Sequence, residues 1–183
     1  MSGTPAVIAQ TALDSVMEAV AEREQKHSKA SKDPHRRPRL HSDFDLDATF
    51  ELALEEFERA LRINPRSSLV LCLCARSLML QARFVTDSQD LQRRAAGLFE
   101  SATHGTGMES YQVLQQWGRS VLDYAKNGEK IEWRRNALVA SAVALFERGY
   151  DTKPDTSNFT NPIVLDWQNA LNIQAQANLY FNR

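Results

Sequence analysis

Histidines at positions 27, 35, 41 and 104 and cysteines at 72 and 74 are the side chains from which metal or nucleophile chemistry would have to be built in this chain. His27, His35 and His41 follow one another at intervals of eight and six residues in a polar stretch, which is not a spacing that presents ligands to one ion. His104 lies between Thr103 and Gly105, in a turn-forming context. Cys72 and Cys74 are two apart, so on a helix they point to different sides and suit neither a disulfide nor a metal pair. Two free thiols imply a reduced, cytoplasmic chain. The sequence has no glycine-rich phosphate loop, no GxSxG and no HExxH, and its serines and carboxylates are scattered over polar positions. These features predict no catalytic residues, no metal, no cofactor and no small-molecule substrate: the chain reads as a non-enzyme.

Charge offers a second kind of chemistry. Lys26, Lys29, Lys32, Arg36, Arg37 and Arg39 crowd into a stretch with two prolines and no apolar periodicity, and residues 26–43 are expected to form a flexible basic loop. Clustered cations favour phosphates and carboxylates alike, so the loop could meet nucleic acid, an acidic partner or a nuclear import receptor. It has no interleaved aromatic residues on which bases would stack, which argues against nucleic acid. Over the whole chain the charges nearly cancel, with 22 Lys and Arg against 23 Asp and Glu. That balance gives no general attraction to nucleic acid or to an acidic membrane. The apolar run from Leu69 to Phe84 is too short to span a bilayer and carries Arg76 and Arg83. Met1–Glu22 has neither the early basic residues nor the apolar core of a signal peptide.

The elements that must position any site are helices. Small, aromatic and small residues recur at four- and three-residue offsets as Ala53, Phe57 and Ala60, then Ala95, Phe99 and Ala102, then Ala142, Phe146 and Gly149. Each set lies on one helical face and offers a ring between two notches into which neighbouring helices can fit. Pro65 and Pro154 follow the first and third sets, where they end helices. An earlier amphipathic helix gathers Ala9, Leu13, Val16, Met17 and Val20 on one face, and the next continues through Leu46, Phe50, Leu54 and Leu61. Thr86, Asp87 and Ser88 mark a break and cap, Gly105 and Gly107 a turn, and Asn127 with Gly128 a left-handed helix stop. A long helix is expected from Ile131 and Trp133 to Phe146, and a last one is capped by Asn161 and Pro162. At 183 residues and 43% hydrophobic content the chain can bury one core.

The recurrent small-aromatic-small-proline order resembles the second helix of the tetratricopeptide repeat. The first-helix order of that family is matched by Leu71, Cys74, Ala75 and Leu78, by Leu114, Trp117, Gly118 and Val121, and by Val164, Trp167, Gln168 and Leu171, where Gln168 replaces a small residue. The aromatic positions are 42 and 47 residues apart (Phe57 to Phe99, Phe99 to Phe146). The family period is about 34, and the extra residues fall between the helices of each repeat. The resemblance implies an all-α, TPR-like right-handed helical solenoid of about three repeats plus a C-terminal helix, one domain over residues 1–183. It also implies a concave groove lined by the first helices, with groove positions at Cys72 and Arg76, Gln115 and Arg119, and Leu165 and Asn169. Arg76, Gln112, Gln115, Arg119 and Asn169 are therefore the expected contacts of a non-catalytic adaptor that holds a peptide segment, since guanidinium groups suit carboxylates and backbone carbonyls. Family members that clamp chaperone tails use a set of lysines and asparagines that is missing here, so the expected partner is another protein or acidic peptide. Trp117, Trp133 and Trp167 read as core residues. The alternative is an assembly or import-receptor-like scaffold, in which the C-terminal helix with Tyr180 and Phe181 forms an oligomer or docks another repeat.

Overall fold

The computed structural model describes residues 4–30, 41–152 and 162–181. Among them lie seven helices: α1 (Pro5–Ala30), α2 (His41–Ile63), α3 (Ser68–Gln81), α4 (Gln89–Thr103), α5 (Ser110–Asn127), α6 (Glu132–Asp151) and α7 (Pro162–Phe181). No described helix is long and apolar enough to cross a membrane. The chain falls into two compact units, Met1–Pro65 and Arg66–Arg183.

The first unit is the packed pair α1 and α2. Ala9, Leu13, Val16 and Val20 from α1 and Leu46, Phe50, Ala53, Phe57 and Ala60 from α2 are buried, as helical spacing requires. Met17 stands at the edge of that face and is exposed. Both ends of the expected loop are helical instead, because α1 continues to Ala30 and α2 already starts at His41, while residues 31–40 lie outside the described residues. Gln25, Lys26, Lys29 and Ala30 are good helix formers, and basic residues suit the negative end of a helix dipole. Asp43, Asp45 and Asp47 correspondingly fall in the first turns of α2.

The second unit is organised around α5, which packs against α3, α4, α6 and α7; α3 also packs on α4, and α6 on α7. The α3 helix is buried almost throughout, including Val70, Leu71, Cys74, Ala75 and Leu78. By contrast α4 buries only the stripe Ala95, Phe99 and Ala102, and α6 the stripe Val139, Ala142, Phe146 and Gly149. The rings and notches of the repeated pattern thus all point into the core. Two small residues are packed closely: a Cβ on Gly118 of α5 would stand 2.6 Å from the Phe146 ring, and one at the Gly149 notch would stand 2.6 Å from Ile163 Cδ1.

Loops are tied by their backbones. Ser68 N–H donates to Thr106 O at 2.9 Å and Thr106 N–H to Arg66 O at 2.7 Å, which clasps the start of α3 to the α4–α5 turn. Gly105 fits under this clasp because a Cβ there would lie 2.6 Å from Arg66 O. Gly107 makes the turn with φ of 96°. Gly128 does not adopt the expected left-handed stop: its φ is −111°, and glycine is required there because a Cβ would strike the Tyr124 ring at 2.7 Å. Ser88 starts α4 without a side-chain cap; its hydroxyl instead meets Tyr124 OH at 2.7 Å, joining α4 to α5. Pro154 and Asn161, read from the sequence as a stop and a cap, lie outside the described residues.

Candidate functional site

Helix α5 packs against both α3 and α7. The expected groove residues are carried by these three helices. Gln115 and Arg119 are one turn apart on α5, and both reach a residue of α7 that sequence reasoning did not select. Asp166 Oδ2 accepts from Gln115 Nε2 at 2.7 Å and from Arg119 Nε at 2.7 Å. The Asp166 side chain is only 22% exposed, whereas Arg119 stays nearly half open to solvent. Two donors on one oxygen orient both α5 side chains and pin α7 across α5. The ion pair itself is partly solvent-screened and is worth at most about 1 kcal/mol.

Arg76 on α3 is half-buried, and no ion pair of its guanidinium is found among the described residues. One turn before it, Cys72 is 2% exposed, so it belongs to the core and not to a groove surface. Burial pushes the Cys72 thiol up to about 12, and the nearby positive charge of Arg76 offsets only part of that rise. Neither cysteine is in a disulfide, and both are buried. Gln112 is exposed, and its Oε1 accepts from Glu109 N–H at 3.1 Å, which is half of a capping box at the start of α5. Asn169 is exposed on α7, and so is Leu165, four residues before it.

The face that α7 buries differs from the expected one. Ile163 and Ala170 are fully buried while Leu171 is exposed, a rotation by about one residue from the set Val164, Trp167, Gln168 and Leu171. Gly149 explains it, because its open notch receives Ile163. Trp117 stacks on Phe99 with ring centroids 5.5 Å apart and planes at 10°, and Trp167 tilts against Tyr150 at 5.7 Å. The third tryptophan corrects the sequence reading: Trp133 is 65% exposed in the first turn of α6, with the Arg134 guanidinium over its ring at 5.3 Å. The apolar periodicity that reached back to Ile131 and Trp133 runs past the point where α6 has anything to pack on.

A concave region lies between α4 and α6. It is a cleft of about 550 Å³ with Trp117 and Val121 of α5 among its lining residues. A smaller cleft of about 370 Å³ in the first unit is lined by Val7, Leu52 and Arg59. Among the described residues no group of three His, Cys, Asp or Glu is arranged to hold a metal ion. The side chains of Lys26, Lys29, Lys32, Arg36, Arg37 and Arg39, of His27, His35 and His41, and of Tyr180 and Phe181 lie outside the described residues.

No protein-family model matches this chain, and neither a curated protein nor a solved structure matches it. Asp166 had no signal in the sequence: it is 47 residues from Arg119, and only the crossing of α5 and α7 brings them together.

Proposed function

We propose that this chain is a non-catalytic, tetratricopeptide-like interaction module that takes a peptide segment across the α3, α5 and α7 layer. The observation that carries the reading is the polar group on that layer, in which Asp166 holds Gln115 and Arg119 while the Arg76 guanidinium has no ion pair among the described residues. The packing order is in keeping with a repeat array: α3 pairs with α4 and α5 with α6, α4 touches the following α5, and α6 touches the following α7.

Within this reading Arg76 supplies the cation for a ligand carboxylate or carbonyl. Gln115 and Asn169 supply amides for a peptide backbone, and the exposed Leu165 supplies apolar contact. Arg119 keeps a second charge at the surface, oriented by Asp166. Gln112 stands at the N-terminal end of α5 on the same helix. The ligand is accordingly an extended or helical segment with at least one acidic residue, not a uniformly acidic one, because Asp166 would repel a carboxylate placed over it.

The test is selection from a displayed random peptide library, followed by titration of the enriched peptides against wild type, Arg76→Glu and Asn169→Ala. Circular dichroism first establishes equal helicity. Enriched peptides that carry an acidic residue and lose at least tenfold in affinity for Arg76→Glu support the reading. Failure to enrich any peptide, or equal affinity for all three proteins, overturns it.

A further inference from the structure

We propose that the cleft between α4 and α6 is a second docking surface, and that it takes an acidic amphipathic helix from a partner protein. It is built from residues other than those of the α3, α5 and α7 layer proposed above, so the two readings stand or fall separately.

Both walls of the cleft rest on α5, while the α4 and α6 backbones do not approach each other and an exposed Arg148–Glu100 ion pair links the two walls. A trough therefore remains between them, with Trp117 and Val121 in its lining. The contributions of α6 show its direction. Leu138, Ser141, Leu145 and Arg148 all line the cleft, at offsets of three, four and three residues along one face of the helix. At 1.5 Å per residue that stripe is about 15 Å long, or close to three helical turns. A cleft of this length, with Met79, Trp117, Val121, Leu138 and Leu145 in its lining, matches the recognition mode in which a helix lays residues i, i+3, i+4 and i+7 into a groove. The volume of about 550 Å³ is more than one side chain needs.

Charge selects among helices. Arg93 and Arg148 are the charged residues of the lining, and no carboxylate is among the lining residues. Each arginine has a partner at present, Arg93 with Asp90 at 3.2 Å and Arg148 with Glu100 at 3.6 Å. These pairs are exposed, so a ligand carboxylate can replace them at little cost. Apolar side chains seated on Trp117, with Glu or Asp on the flanks facing the two guanidinium groups, complete the complementarity. The trough stays fixed because Trp117 is itself held by its stack on Phe99.

The experiment uses a fluorescein-labelled 16-residue helical peptide with leucines at i, i+3, i+4 and i+7 and glutamates on both flanks, together with a counterpart in which every glutamate is lysine. Anisotropy is read with the full chain, with Ser141→Trp, which fills the cleft from an exposed position, with the pair Arg93→Glu and Arg148→Glu, and with Arg76→Glu. The expected result is binding of the acidic peptide to wild type and to Arg76→Glu alike. Affinity should fall at least tenfold in Ser141→Trp and in the double variant, and at least tenfold when wild type meets the lysine peptide. The proposal is overturned by equal binding of the two peptides, by undiminished binding to Ser141→Trp, or by no binding of either peptide. It is also overturned if sedimentation shows wild type to be a dimer that Ser141→Trp dissociates, since the cleft would then belong to a second copy of the chain.

Discussion

Cys72 illustrates how far a residue's chemistry is set by its surroundings. Its thiol lies within the buried helix α3, and burial raises its pKa to about 12 despite Arg76 one turn away. The unfolded thiol ionises near its ordinary value of 9.0. Between those two values the folded state holds a proton that the unfolded state has released, so stability is fully present below about pH 9 and falls as pH rises toward 12. The urea midpoint should accordingly drop between pH 8.5 and pH 10.5, and the drop should be smaller in Cys72→Ala. An identical pH slope in the variant would show that other groups cause the loss. Asp166 and Trp133 make the complementary point about legibility. An aspartate on a helix gives no sign of which distant donors it will meet. A tryptophan in an apolar period reads as core until the neighbouring helices are known.

At the scale of elements, the small residues decide how closely helices approach. Gly118 of α5 and Gly149 of α6 each admit a specific large side chain, Phe146 and Ile163 respectively. Replacing Gly118 by alanine would gain up to about 1 kcal/mol of helix propensity. The added methyl meets an aromatic ring that is itself fully enclosed, and such overpacking costs about 1–3 kcal/mol. Gly118→Ala is therefore expected to be destabilised, by up to about 2 kcal/mol, as read by urea unfolding. Phe146→Leu costs stability alone, but the double variant should lose less than the sum, because the shorter side chain makes room for the methyl. Strict additivity would mean that the α5–α6 approach does not depend on this notch. Gly128 belongs to the same class: sequence reasoning took it for a left-handed stop, whereas its role is to pass beneath the Tyr124 ring.

At the scale of the molecule, the two compact units differ in what they can bury. Among the described residues the second unit has four helices packed on α5, while the first has a single helix pair. Small domains bury a smaller fraction of their surface, so the helix pair has less apolar burial to set against its conformational entropy. A fragment of residues 66–183 is expected to unfold cooperatively by circular dichroism. A fragment of residues 1–65 should show a broad, low-temperature transition. A featureless melt of the larger fragment would show that it depends on the rest of the chain.

The sequence by itself determined that the described chain is helical, and it identified most of the buried faces. Ala53, Phe57 and Ala60, with their counterparts in α4 and α6, are buried as their spacing requires, because helical periodicity is a local property that every residue reports. It also placed Gln115 and Arg119 on one side of α5. Tertiary structure alone decided that Asp166 holds both, that α7 turns Ile163 and not Val164 inward, that Trp133 is left outside, and that a trough remains between α4 and α6. Each of these depends on which helices cross and how near they come. Crossing geometry is set by the fit of side chains far apart in sequence, to which no local pattern has access.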